Sequence, residues 1–295
     1  MLYQLGRVCF EQFGTRVFIV QNHKKNRGKI RFHHQYDFPT ISIYNMRRTI
    51  GKEDLFICNP VQSPRSFGTL LSSKKLMYLQ GVTNYSRLDM KFDHYVSASH
   101  FIQETVREKY GLDTPVINPF INLSMFRHDV PWDKRSDEIL ILDYKKDPQP
   151  LLTRLIEVYQ KKYPGTVPAF KKISNLSQEK WAETLASHKF YLTLSPVEGF
   201  GLPSLEAMAS GCVVLGLDSY GGRDYFEPGR NALVVGEGDF DQLAEYLHKV
   251  ISSSDQSDTL SKNAVSTAQN YSFSTFTENW RTILEKNVGL THQRN

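Results

Sequence analysis

Glu198 and Glu206 stand eight positions apart within residues 195–211, S-P-V-E-G-F-G-L-P-S-L-E-A-M-A-S-G. An ionised carboxylate accepts hydrogen bonds at both oxygens, so each can take two neighbouring hydroxyls of one ligand. Two such acids near one strand end suit a polyhydroxylated molecule. Gly199, Gly201 and Pro203 lie between them, and the apolar run F-Y-L-T-L at 190–194 precedes them. This order predicts a strand, a glycine turn and a helix over 203–210 that stops at Gly211. Pro203 fits a first helical turn, where no backbone donor is needed, and glycine fits a helix end. Glu206 is then expected near the start of that helix. A strand–turn–helix unit of this kind aims free N–H groups and the positive end of the helix at an anion. A nicotinamide fingerprint is not matched, because Ser204 stands where G-x-G-x-x-G requires glycine or alanine.

The stretch E-G-F-G-L-P-x-L-E-A-M-A-x-G resembles the signature of retaining glycosyltransferases of the GT-B fold, glycosyltransferase family 4 in particular. Residues 220–226 (Y-G-G-R-D-Y-F) and 229–235 (G-R-N-A-L-V-V) are similar to that family's next characteristic loop. The likeness covers most of residues 115–250. It implies that Glu198 contacts hydroxyls of the donor sugar and Glu206 the nucleotide ribose. Backbone amides of Gly199, Phe200, Gly201 and Leu202 would meet the sugar and pyrophosphate. Lys145 and Lys146 occupy the loop where family members carry the cations that neutralise the pyrophosphate; they would share the catalytic work with Glu198, or else sit on a solvated loop. Gly221, Gly222 and Arg223 are expected at the same donor site, with Arg223 binding phosphate or pairing with a neighbouring acid. Gln80 stands where many relatives place a histidine, and would touch the sugar. The resemblance implies a metal-independent hexosyltransferase that retains configuration, with no cofactor beyond its nucleotide-sugar substrate. The acceptor would be a glycan or lipid-linked, as in polysaccharide biosynthesis. A nucleotide-sugar-binding protein without transferase activity is the alternative.

Elements that must position these residues follow from periodicity. Apolar residues at 2, 5, 8, 9, 10 and 13 have helical spacing. Short strands are expected at 15–20, 40–44, 54–58, 75–79 and 95–99, with a helix over 101–110. Polar residues 122–138 read as a linker. A second series then runs strand 139–142, helix 151–163, strand 167–173, helix 177–187, strand 190–194, the motif helix, strands 212–216 and 233–235, and helices 239–251, 258–270 and 274–287. Strands alternating with helices imply parallel, helix-covered sheets. The expected architecture is α/β, two Rossmann-like domains facing a cleft (GT-B). The N-terminal acceptor-side domain spans 1–122, the linker 123–138 and the nucleotide-sugar domain 139–270. A C-terminal helix in 271–295 would return to the first domain. Relatives open on a strand and glycine loop that precede a helix like the one at Leu2, so the N-terminal domain is expected to be shortened.

Composition sets outer bounds. The 295 residues, 40% hydrophobic and 23% charged, match a soluble globular chain. No run approaches the ~20 apolar residues of a membrane span, and no signal peptide is evident. Three scattered cysteines without a C-x-x-C pair fit a reduced, cytoplasmic protein, with Cys212 in a buried strand. Charge is uneven: 20 Lys and Arg face 11 Asp and Glu through Arg135, against 16 and 20 beyond it. The densest cluster, K-K-N-R-G-K-I-R-F-H-H at 24–34, is expected to be a solvated loop or to meet an anionic membrane surface or acceptor. No nucleic-acid motif accompanies it.

Overall fold

A computed structural model describes residues 1–21, 36–81, 87–143, 147–165, 167–252 and 255–291. The chain divides into two compact units, one of residues 1–119 with 274–295 and the other of residues 120–273.

The first unit opens on α1 (Leu2–Phe13), whose buried face is Tyr3, Leu5, Val8, Cys9 and Phe13. Gly14, at φ 64°, ends it in the left-handed conformation. Strand β1 (Ile19–Gln21) pairs in parallel with β2 (Thr40–Ser42), and Ser42 caps α2 (Ile43–Thr49) by accepting the Asn45 N–H. Strands β3 (Leu55–Cys58), β4 (Lys74–Leu79) and β5 (His94–Ser97) form a separate parallel sheet with β4 central. Between them lies α3 (Phe67–Leu70), and α4 (His100–Tyr110) follows, capped by Ser99 and ended by Gly111. The strand expected at 15–20 begins only at Ile19, because the Thr15 N–H is taken by the Cys9 carbonyl in the helix cap. Tyr78 in β4 is fully buried and lies edge-on to Trp280, 5.0 Å between centroids.

In the second unit β6 (Ser136–Leu142), α5 (Gln149–Lys162), β7 (Phe170–Ile173), α6 (Gln178–Ala186), β8 (His188–Thr193), α7 (Leu202–Ala209), β9 (Val213–Leu217), β10 (Leu233–Val235), α8 (Phe240–Ser252) and α9 (Asp255–Gln269) follow in order. The sheet runs β10-β9-β8-β6-β7, every pair parallel. Chain order therefore reverses between β6 and β8, which are hydrogen-bonded neighbours. Alternate residues of β8 serve opposite cores. Phe190 and Leu192 face the layer built with Leu155 of α5 and Leu247 of α8, while Tyr191 faces the layer of Trp181, Leu205 and Met208. Helices thus cover both faces, as a parallel sheet requires.

Residues 123–138 are not a free linker. Phe126 is buried in the second unit's core, with Leu123 and Met125 packed against it. The Arg135 guanidinium is buried too, donating to the carbonyls of Val130 and Ser210 at 2.9 Å each. Three apolar anchors and one hydrogen-bonded cation outweigh the polar average of the segment. Helix α10 (Phe273–Ile283) lies, but for its first residue, within residues 274–295, which belong to the first unit. No described helix is long and apolar enough to cross a membrane.

Candidate active site

In an open parallel sheet, ligands bind outside the carboxyl ends of the strands where chain order reverses. Here that point lies between β6 and β8, and a pocket of about 220 Å³ opens there. Leu142 at the end of β6 and Thr193 at the end of β8 line it, together with Ser195, Glu198, Gly201 and Ser204 of the acidic motif. Asp147, Pro148 and Leu151 line it as well.

Glu198 is half-buried on the loop after β8, and Ser195 donates its hydroxyl to Glu198 Oε1 at 3.0 Å. Its backbone is fixed as well. The Glu198 N–H donates to Ser219 O at 2.9 Å, and Gly221 returns an N–H to Glu198 O at 3.2 Å. Gly201 adopts φ 86°, ψ 49° at the N-terminus of α7. Glycine is required on two counts: the left-handed backbone, and the Tyr225 hydroxyl, which would stand 2.8 Å from an added Cβ. That hydroxyl donates to Gly201 O at 2.7 Å, which pins the turn from beneath.

Helix α7 starts at Leu202, one residue before Pro203, so Glu206 falls in its second turn rather than near its start. It points toward the Trp181 side, where the indole N–H donates to Glu206 Oε2 at 2.9 Å. Burial pushes the Glu206 carboxyl up to about 7, with the indole bond pulling the other way. Tyr191 is buried, with its ring 5.8 Å from that of Trp181. Burial raises the Tyr191 hydroxyl far above its usual range, and the charges of Glu206 and then Glu198 add to the rise.

The remaining expected residues distribute as follows. Phe200 is buried against Tyr225, with ring centroids 5.3 Å apart, so its side chain supports the turn from the core. Gly221 packs on the motif itself: an added Cβ would lie 2.5 Å from Glu198 O and 2.6 Å from Phe200 N. At Gly222 the obstacle is the Phe226 ring. Arg223 pairs with Asp218, Nε to Oδ2 at 2.7 Å, and stacks over the Tyr220 ring. Gln80 lies in the first unit, directly after β4. Lys145, Lys146 and the basic cluster 24–34 lie outside the described residues. Both flanks of residues 144–146 are tied, since Lys172 Nζ reaches Asp143 at 3.3 Å and Asp147 at 2.8 Å. Among the described residues no group of three His, Cys, Asp or Glu side chains is placed to hold a metal ion. Cys9, Cys58 and Cys212 are all buried free thiols, and burial pushes each up to about 12.

Residues 168–267 match the family described as Glycosyl transferases group 1. That segment holds both acids, the glycine turn and the Ser219–Gly222 loop. Over 109 residues the chain is 29% identical to the poly(glycerol-phosphate) alpha-glucosyltransferase of Bacillus subtilis, covering 36% of this chain and 16% of that protein. It is 30% identical over 112 residues to the GtfA subunit of a UDP-N-acetylglucosamine–peptide N-acetylglucosaminyltransferase of Streptococcus gordonii, covering 36% and 22%. The matched stretch is thus less than a quarter of either relative. Among solved structures, a glycosyltransferase from Rickettsia africae superposes with TM-score 0.75 at 13% identity, covering 98% of this chain and 94% of that one. A sucrose-phosphate synthase from Thermosynechococcus elongatus gives 0.72 at 14%, covering 98% and 93%. Anabaena HepE, solved with UDP and glucose, gives 0.66 at 15%, covering 84% and 86%. The α/β fold with its parallel sheets is the one found in GT-B glycosyltransferases.

Two hydrogen-bond partners of these acids escaped the sequence reading. Ser195 stands three residues before Glu198 inside the motif, close enough to be paired with it by spacing. Trp181 lies 25 positions from Glu206 on another helix, and nothing local connects the two.

Proposed function

We propose that the protein is a retaining glycosyltransferase that moves a sugar from a nucleotide-sugar donor to a glycan or lipid-linked acceptor. The observation that carries this reading is Glu198 lining a pocket at the point where chain order reverses, with Glu206 on the helix that follows the glycine turn. In this reading Glu206 accepts the ribose hydroxyls and Glu198 the hydroxyls of the donor sugar. The diphosphate meets the amides of the turn, the N-terminus of α7 and the positive charge of Lys145 or Lys146. As the bond between the anomeric carbon and the phosphate oxygen breaks, negative charge grows on the departing diphosphate. Preorganised N–H groups and cations stabilise that charge, usually the largest catalytic contribution. The acceptor hydroxyl attacks the anomeric carbon from the same face and passes its proton to the leaving phosphate oxygen. No carboxylate nucleophile and no metal are needed for that step. UDP-linked sugars are the first donors to try, given the ligands bound to HepE.

The test compares Glu198→Gln and Glu206→Gln for transfer and for binding. Glu206→Gln is expected to weaken binding of the nucleoside diphosphate itself. Glu198→Gln is expected to leave that binding intact and to lower turnover by about 10²–10³, the range for loss of one preorganised catalytic group. Near-normal turnover in both variants would sink the reading.

A further inference from the structure

The loop after β9 contains a strained turn with a specific task. Tyr220 adopts φ 58°, ψ −59°, and the next N–H, that of Gly221, donates back to Ser219 O at 2.7 Å. This is a three-residue turn of the left-handed kind, rare for any residue with a Cβ. Ser219 before it is also left-handed, at φ 52°. Such backbone persists only where its surroundings over-determine it, and here three side chains do so. Asp218 Oδ1 accepts the Tyr220 N–H at 3.3 Å, and Asp218 Oδ2 accepts Arg223 Nε at 2.7 Å. The guanidinium then lies 4.5 Å over the Tyr220 ring, a stacked cation geometry.

What this turn carries is Glu198. Ser219 O receives the Glu198 N–H, and Gly221 N–H reaches Glu198 O while also closing the turn, so one amide serves both bonds. Tyr220 and Glu198 form a parallel bridge. The approach is so close that any side chain at Gly221 would strike the Glu198 carbonyl. The height and direction of Glu198 are therefore set by a turn that Asp218 and Arg223 hold in shape.

We propose that Asp218, Tyr220 and Arg223 are positioning residues that fix Glu198 in the pocket, acting through the backbone rather than on the ligand. The proposal rests on the assignment of Glu198 to the donor sugar. It places Arg223 outside direct phosphate binding and explains why an exposed arginine and a partly buried aspartate pair beside the site.

The experiment uses the full chain and whichever of UDP-, GDP-, ADP- or dTDP-glucose raises its melting temperature most. Arg223 is exposed, so Arg223→Ala is expected to fold with a melting temperature near that of the wild type. Loss of the stack and ion pair should lower kcat by roughly ten- to a hundredfold, the scale of an ångström-sized misplacement, with KM for the donor changed less than about threefold. Arg223→Lys, which keeps the pair to Asp218, should recover most of the loss. In a Glu198→Gln background Arg223→Ala should cost nothing further, because its effect passes through Glu198. Full kcat in Arg223→Ala, or the same fold loss in both backgrounds, overturns the positioning role. If Glu198→Gln alone retains full turnover, the assignment of Glu198 fails instead. If Arg223→Ala weakens binding of the nucleoside diphosphate alone, Arg223 touches phosphate and the proposal is wrong.

Discussion

Trp181 Nε1 donates to Glu206 Oε2 across 2.9 Å, from the middle of α6 to the second turn of α7. The indole bond favours the ionised carboxylate, yet burial outweighs it and pushes the group up to about 7. Hydrogen bonds to the ionised form stabilise it, and ribose hydroxyls would add more of them. Binding of UDP to the wild type is therefore expected to strengthen as pH rises from 6 to 8, with uptake of ligand accompanied by proton release. Isothermal titration in buffers of differing ionisation heat measures both. In Glu206→Gln the share of that release owed to the carboxyl should be lost, leaving only what the ionisation of the ligand's own terminal phosphate contributes.

The same carboxyl makes stability depend on pH in a direction opposite to that of an ordinary ion-paired acid. Unfolded, Glu206 loses its proton near 4.5; folded, it keeps it to about 7. Between those values the folded state binds more protons, so stability falls as pH rises through that window. Urea midpoints at pH 5 and pH 7.5 should show a smaller decline in Glu206→Gln than in the wild type.

Trp181→Phe removes the one indole donor and leaves an aromatic ring in the core. Loss of that bond should push the Glu206 carboxyl higher still, so the rise of nucleotide affinity with pH should shift to more alkaline values. A pH profile of UDP binding unchanged from that of the wild type would argue against the role given to this contact.

Gly201→Ala places a Cβ on a left-handed backbone and against the Tyr225 hydroxyl. A penalty of about 1–3 kcal/mol is expected from the conformation. Tyr225→Phe in the same chain clears the contact, so the two substitutions should be less than additive. Urea denaturation of the two single variants and the double variant gives the coupling.

Arg135→Met should destabilise the second unit by about 1–3 kcal/mol, since it strands the carbonyls of Val130 and Ser210 without their donors. Thermal melting reads the loss, and donor binding by the surviving folded protein should be unchanged.

The strand–turn–helix around Glu198 was legible because its signals are local: an apolar run, glycines at fixed offsets, a proline at the helix start and a glycine at its end. Helix α1 was equally plain, its apolar spacing running from Leu2 to Phe13. Residues 123–138 were misread because composition averages over a segment, whereas Phe126 and Arg135 anchor it singly through long-range packing. Arg223 left two readings open in the sequence, and only the position of Asp218 across the turn shows its partner. The pairing of Trp181 with Glu206, and the division of the first unit's strands into two sheets, depend on tertiary contacts that no short window of residues encodes.

Phe120 and Phe273 touch ring to ring, 4.9 Å between centroids, and Ile121 donates its N–H to the Tyr271 carbonyl. The entry and exit of the second unit are thus a clasp. A gene encoding only residues 120–273 would keep both halves of that clasp, whereas trimming the chain from its carboxyl end would strip Trp280 from beneath Tyr78 and damage the opposite unit first.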